Sequence, residues 1–203
     1  ALKNRFAVFF SEHERQGRFF NPWAEFNRPR LSDVLKWQFS PNPDRRAKRQ
    51  GPDLSCVPID GRVSSKSAQS AVTWLGHASF LVTLGAMRVV IDPIFGHMGG
   101  GLIRRKTPVL QDVQALGPID VICITHGHYG HLDKPSVARL ADANPEVLFC
   151  VPRGMAKILP KRCRRIIEFD WWDELAIGDL TASFVPAQHW HRRGAFDLNR
   201  VLW

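Results

Sequence analysis

The stretch "DVICITHGHYGHLD", residues 120–133, decides how this chain is read. Its first half is a mostly apolar run, typical of a strand buried on both faces. Its second half carries histidines at 126, 128 and 131. In an extended chain, residues i and i+2 point to the same side, so the strand end aims His126 and His128 at one point. A bend after them can bring His131 round. Later, "PAQHWHRR" offers His189 and His191 in the same way. A lone histidine near a strand end is usually structural, but this constellation reads as a metal site. Imidazole from strand ends suits zinc, and three protein ligands plus a solvent position make a catalytic type of site. Water bound to such an ion has a pKa of about 7 and becomes a hydroxide nucleophile.

Working outward, the flanking segments alternate between strand and helix patterns. "AVTWL" and "SFLVTL-GA-MRVVID" read as strands, the latter two joined at Gly85-Ala86, where glycine first in the loop suits a type II′ hairpin. "KPSVARLADAN" reads as a helix, with Pro135 near its start and Val137, Leu140 and Ala141 on one face. "EVLFCVP" and "RRIIEFD" are strands on either side of a helical turn at "GMAKILP", and "DELAI-GD-LTASFVP" is a second hairpin. "NRVLW" reads as the beginning of another strand. This alternation predicts an α/β (α+β) fold, a mixed sheet layered with helices. The body is expected to run over 69–203, preceded by a basic, aromatic-anchored arm over 1–68.

The arm contains "RFFNPWAEFNRPR", a short helix at "RLSDVLKWQF" with Ser32 as its cap and Leu31, Val34 and Leu35 on one face, a polar loop at "SPNPDRRAKRQGPD" and a hinge at "SSKSAQS". Six of its phenylalanines (Phe6, Phe9, Phe10, Phe19, Phe20 and Phe26) are expected mainly to pack on the body, with contact to a membrane interface as the other reading. The net charge is +9. Residues 1–66 hold 13 Lys+Arg against 7 Asp+Glu and so carry most of that excess. Such a surface favours anionic partners. Without a basic stripe interleaved with exposed aromatics, it argues against nucleic acid. The run "KILPKRCRR" reads as a solvated face, with anion binding as the lesser reading. The four cysteines form no C-x-x-C pair, and Cys123 and Cys150 fall in apolar runs, which favours buried thiols and a reducing compartment. No apolar run approaches the roughly 18–20 residues that span a bilayer, and the first residues make a poor signal peptide. A cytoplasmic location is expected, with membrane association left open.

"THGHYGHLD" resembles the H-x-H-x-D-H motif of the metallo-β-lactamase superfamily. With "RFFNPW", "TWLGHASFLV", "VVIDPIF" and "PAQHWHRRGAFDLNRVLW", the likeness narrows to the bacterial relatives of N-acyl-phosphatidylethanolamine phospholipase D, the lactamase-like Zn-dependent hydrolases. The resemblance implies an αββα sandwich with a two-metal site at the edge between its sheets. It implies that His126, His128 and His189 bind the first metal and His131 the second. The family motif has Asp, a ligand of the second metal, where this chain has Gly130. A bridging carboxylate and a last histidine come later in the family, so the sandwich is expected to be incomplete in its C-terminal half, leaving room for a homo-oligomer to cover the sheet.

The expectation is therefore one tightly bound zinc where the family holds two, with no catalytic side chain assigned beyond metal-bound water. Asp92 and Asp133 are candidates to hold an imidazole N–H, Asp133 also being placed to cap the helix after it. His77 and His191 are candidates to line the site. His97 and the glycines at 99–101 form a loop that could cover it. Trp171, Trp172 and Trp190 are read as core or pocket wall. The reading is a metal-dependent hydrolase acting on a phosphodiester of an anionic lipid, such as an N-acyl-phosphatidylethanolamine, or on an ester or amide. The alternative is a non-enzymatic metal-binding module, degenerate through Gly130.

Overall fold

A computed structural model describes residues 3–4, 12–23, 30–44, 70–98, 105 and 112–203. The hinge over 64–69, most of the polar loop, the glycines at 99–101, Cys56, Phe6, Phe9, Phe10 and Phe26 lie outside the described residues. The strands are β1 (Lys3–Asn4), β2 (Glu14–Arg15), β3 (Arg18–Phe19), β4 (Ala71–Gly76), β5 (Ser79–Leu84), β6 (Met87–Ile91), β7 (Val121–Cys123), β8 (Leu148–Pro152), β9 (Arg165–Phe169), β10 (Asp173–Ile177) and β11 (Leu180–Ser183). The helices are α1 (Leu31–Phe39) and α2 (Lys134–Ala143).

β4 to β9 form one mixed sheet in sequential order, antiparallel through β4-β5-β6 and parallel through β6-β7-β8-β9. The pleat sends alternate residues to opposite faces. One set, including Leu81, Val90, Ile122, Phe149 and Val151, packs in a single core with Val137, Leu140 and Ala141 of α2. The other set, including Val121, Cys150 and Phe169, meets Leu175 and Ala182 of a smaller sheet ordered β1-β10-β11. The layers therefore run helix, sheet, sheet.

Local chemistry accounts for the element ends. Gly85 and Gly178 both take φ of 58° at the first loop position of their hairpins, and Ala86 stays at negative φ, as a type II′ turn requires. Asp133 caps α2, its carboxylate accepting from the Ser136 N–H. α1 starts at Leu31, so Ser32 lies inside its first turn rather than at the cap; the Asp33 carboxylate accepts from the Arg30 N–H instead. Leu35, Trp37 and Phe39 are exposed, and the side chains of Leu31 and Val34 lie outside the described residues.

The C-terminal "NRVLW" is not a strand. Val201, Leu202 and Trp203 are buried in irregular backbone, held by Leu202 N–H to Arg153 O (3.0 Å) and by Trp171 Nε1–H to Trp203 O (2.7 Å). Trp171, Trp203, Leu202 and Phe19 form one apolar cluster. The 12–23 segment of the arm is pinned there too: Phe19 N–H donates to Asn199 O (2.7 Å), and the His13 ring lies 2.6 Å from Asp170 Oδ1.

Candidate metal centre

β7 ends two residues before the sequence pattern does, and the reason is Asp92. Ile124 N–H still donates to Cys150 O (3.1 Å), but Thr125 turns its N–H to Asp92 Oδ1 and its hydroxyl to Oδ2, both at 2.7 Å. The chain leaves the ladder there. It then closes a turn in which His131 and Leu132 N–H groups donate to His128 O. Arg193 clamps the turn from outside, donating to Gly127 O and Leu132 O at 2.8 Å each, with its guanidinium 4.1 Å from the Tyr129 ring centre. Gly127 has to be glycine for steric reasons, because a Cβ there would run into the His191 ring.

The strand end and the second histidine segment meet in a triangle of ring nitrogens. His126 Nε2, His128 Nδ1 and His189 Nε2 are each 3.1 Å from the other two. Two such nitrogens can share one proton; three at equal spacing are satisfied together by a cation. Tetrahedral zinc with N at about 2.0 Å spaces its ligands about 3.3 Å apart, so the residues fit a divalent ion. His126 Nδ1 lies 3.0 Å from the Thr125 hydroxyl, which leaves Nε2 to face the triangle. Burial, and then the neighbouring His131, push the His126 pKa down to about 2; burial and His189 push that of His128 to about 4. Both imidazoles are thus neutral at physiological pH, the form that binds metal.

His131 stands beside this triangle, its ring 4.0 Å from that of His126. Its Nδ1 lies 2.7 Å from Asp92 Oδ2, so the carboxylate orients the ring with Nε2 as its free nitrogen. Asp92 is 2% exposed and takes φ of 45°. Asp133 serves α2 as its cap. His191 is 1% exposed behind the triangle; neither of its ring nitrogens, nor His128 Nε2, has a hydrogen-bond partner. Its ring stacks 6.2 Å from that of His128, and Trp190 meets His128 edge-on at 4.6 Å. His77 is exposed in the β4–β5 turn, and His97 is exposed in a loop, accepting from Arg105 N–H at 3.3 Å.

A cavity of about 630 Å³ opens from His126, His131 and His189 between the two sheets. Ile91, Phe169, Phe184, Val185 and Trp203 give it apolar walls. Sequence reasoning passed over several residues that build this site. Asn21 of the "RFFNPW" segment donates to His189 O (2.9 Å) and accepts from Trp203 Nε1 (3.2 Å), tying arm, ligand and C-terminal segment together. Thr125 and Arg193 were equally silent, although both adjoin the histidine segments. A short polar residue beside a candidate ligand is the signal that would have found Thr125.

Residues 87–203 match the family described as the beta-lactamase superfamily domain. The chain belongs to that family. Within the superfamily, it is 28% identical over 218 residues to N-acyl-phosphatidylethanolamine-hydrolyzing phospholipase D 1 of Caenorhabditis elegans, which covers 96% of this chain and 61% of that protein. A mitochondrial N-acyl-phosphatidylethanolamine-hydrolyzing phospholipase D of Saccharomyces cerevisiae is 29% identical over 64% of this chain and 30% of its own length. A metal-dependent hydrolase of Koribacter versatilis is 30% identical over 58% of this chain and 47% of its own length. The chain thus spans between 30% and 61% of the length of these superfamily relatives. Among the described residues, no helix is long and apolar enough to cross a membrane.

Proposed function

We propose that this chain is a metal-dependent hydrolase centred on one tightly held zinc ion, acting on the phosphodiester of an anionic, acyl-bearing lipid. The observation that carries the reading is the equal-sided triangle of neutral imidazoles at the mouth of an apolar cavity. When bound, the metal supplies Lewis acidity and an activated water. The protein's own residues do the rest. His126, His128 and His189 hold the ion, and Thr125, Asp92 and Asn21 fix the segments that carry them. The walls of Ile91, Phe169, Phe184 and Val185 accommodate an acyl chain and keep water out. The net charge of +9 favours an anionic headgroup. Exposed Leu35, Trp37 and Phe39 on α1 support peripheral contact with a lipid surface. The names of the relatives from Caenorhabditis elegans and Saccharomyces cerevisiae support the lipid phosphodiester over an ester or amide.

Gly130 favours a second reading, a metal-binding module that no longer catalyses, because the position has no side chain to ligate a second ion. One experiment separates the two. The chain is loaded with zinc and assayed on a generic phosphodiester and on N-acyl-phosphatidylethanolamine vesicles, beside His126→Ala and Gly130→Asp. The expected result is activity in the parent chain that His126→Ala abolishes. Activity only in Gly130→Asp overturns the enzyme reading in favour of the degenerate site.

A further inference from the structure

β7 and β8 bring two cysteines side by side. Cys123 and Cys150 are register partners in this parallel pair, so the pleat turns both side chains to the same face of the sheet. That face is the cavity side: both residues line the cavity that opens from His126, His131 and His189, and both pack with Phe169 and Leu175. Neighbouring strands lie about 4.8 Å apart, within the span of about 4.4–6.8 Å between Cα atoms that a disulfide bridges. Both are free thiols, Cys150 buried and Cys123 half-buried. The Cys123 S–H donates to Cys150, which pushes the Cys123 thiol up and favours the Cys150 thiolate. Cys163 is the contrast: it lies alone in the core that packs on α2, where burial pushes its thiol up to about 11.

We propose that Cys123 and Cys150 are a modification site: a cavity-facing dithiol that a small peroxide oxidises reversibly to a disulfide. The thiolate is the nucleophile. With hydrogen peroxide, Cys150 Sγ attacks one oxygen and breaks the O–O bond, giving a sulfenic acid and a hydroxide that takes up the proton released from the thiol. Cys123 Sγ then attacks the sulfenic sulfur, forming the S–S bond and releasing a second water. Two thiols and one peroxide thus become one disulfide and two waters. The bridge lies where the strands hand over to the metal centre. Asp92 N–H donates to Cys123 O (2.9 Å) and Ile124 N–H to Cys150 O (3.1 Å), so the bonds that align Asp92 and the His126 segment end on the two cysteines themselves. An S–S bond of about 2.0 Å replaces a longer S–H···S contact and shifts that junction. The bridged form therefore binds the ion less tightly than the dithiol, and by linkage a bound ion opposes bridging. This coupling rests on the reading of His126, His128 and His189 as the metal centre; the bridge itself does not.

The test treats the full, metal-free chain with hydrogen peroxide, blocks the remaining thiols and maps the linked peptides by mass spectrometry. The expected product joins the Cys123 and Cys150 peptides and disappears on treatment with dithiothreitol. Cys123→Ser and Cys150→Ser, each a single-atom change, are expected to abolish it, with far-UV circular dichroism and the melting temperature confirming that each variant is folded. Zinc affinity, measured against a chromophoric chelator, is expected to be severalfold weaker in the bridged chain than in the reduced chain. The same peroxide treatment is expected to leave the affinity of Cys150→Ser unchanged. Absence of the Cys123–Cys150 product, or a product that joins Cys56 or Cys163 instead, overturns the site. A bridge that leaves zinc affinity unchanged overturns the coupling. A reduced chain that binds no zinc overturns the metal-centre reading, while the peptide map still decides the bridge.

Discussion

The two ends of the His126–His131 turn differ in how much of their geometry is enforced. At the closed end, His126, His128 and His189 converge at 3.1 Å, with Arg193 pinning the backbone and the Nε2–Cδ2 edge of His191 against Gly127. At the open end, His131 has one orienting carboxylate, Gly130 has no side chain, and His77 reaches across from an exposed turn. Both ends are rich in imidazole, so ligand type does not distinguish them. Enclosure does: three nitrogens held by a packed shell are preorganised for an ion, whereas the His77 and His131 rings, with centres 6.3 Å apart at the open side, are not.

Changes at the closed end therefore have the largest effects. His126→Ala is expected to abolish tight metal uptake and, with it, hydrolysis, read by metal analysis of the purified chain and by the phosphodiester assay. Gly127→Ala forces a methyl into the His191 ring and is expected to cost about 1–3 kcal/mol of stability in urea unfolding. A stability within a few tenths of the parent would mean that the wedge is looser than its geometry implies. Asp92→Asn loses one of the two carboxylate oxygens that serve Thr125 and His131. It is expected to weaken metal binding by about 10–100-fold, because the orientation of the ligand segments is lost while the triangle of ligands stays.

A pH comparison sharpens the same contrast. Burial holds His126 at about 2 and His128 at about 4, below the ordinary 6.5 they regain on unfolding. Acid therefore protonates the unfolded chain first. The ion-free protein is expected to keep its full stability above that value and to lose it as pH falls towards 4, read as urea midpoints at about pH 7.5 and about pH 5. A double His126→Ala, His128→Ala variant is expected to flatten this dependence. The smallest effect is expected from Asn21→Ala, which removes the hydrogen bond to His189 O and that from Trp203 Nε1. Its cost in stability should be about 0.5–1.5 kcal/mol, because Trp203 Nε1 still donates to Ala187 O, with the triangle of ligands retained.

Much of the framework was legible because it is written in local patterns. The apolar runs at β7 and β8, glycine at the head of each hairpin, and Asp133 with Pro135 before α2 are short-range signals, and the structure realises each of them. The errors arose where a distant partner overrides local preference. "NRVLW" has the composition of a strand, but its backbone is held by Arg153 and its side chains by the Phe19–Trp171 cluster, so no ladder forms. "DVICIT" loses its last two strand residues to Asp92, a residue on the neighbouring strand's end. The cap of α1 falls at Arg30 rather than Ser32, a two-residue shift secured by the Asp33 carboxylate accepting from the Arg30 N–H, which composition alone does not resolve.

By itself, the sequence determined that two imidazoles meet on one side, because the spacing of His126 and His128 at a strand end has that effect whatever lies around them. It also determined that position 130 contributes no ligand. Only the tertiary structure decided which nitrogens face one another, that His191 sits buried behind the triangle while His77 reaches into the space at Gly130, and that an apolar cavity opens beside the triangle. The reason is physical: spacing along one strand fixes direction, but distance between strands, and what fills the gap between them, depends on residues far apart in the chain.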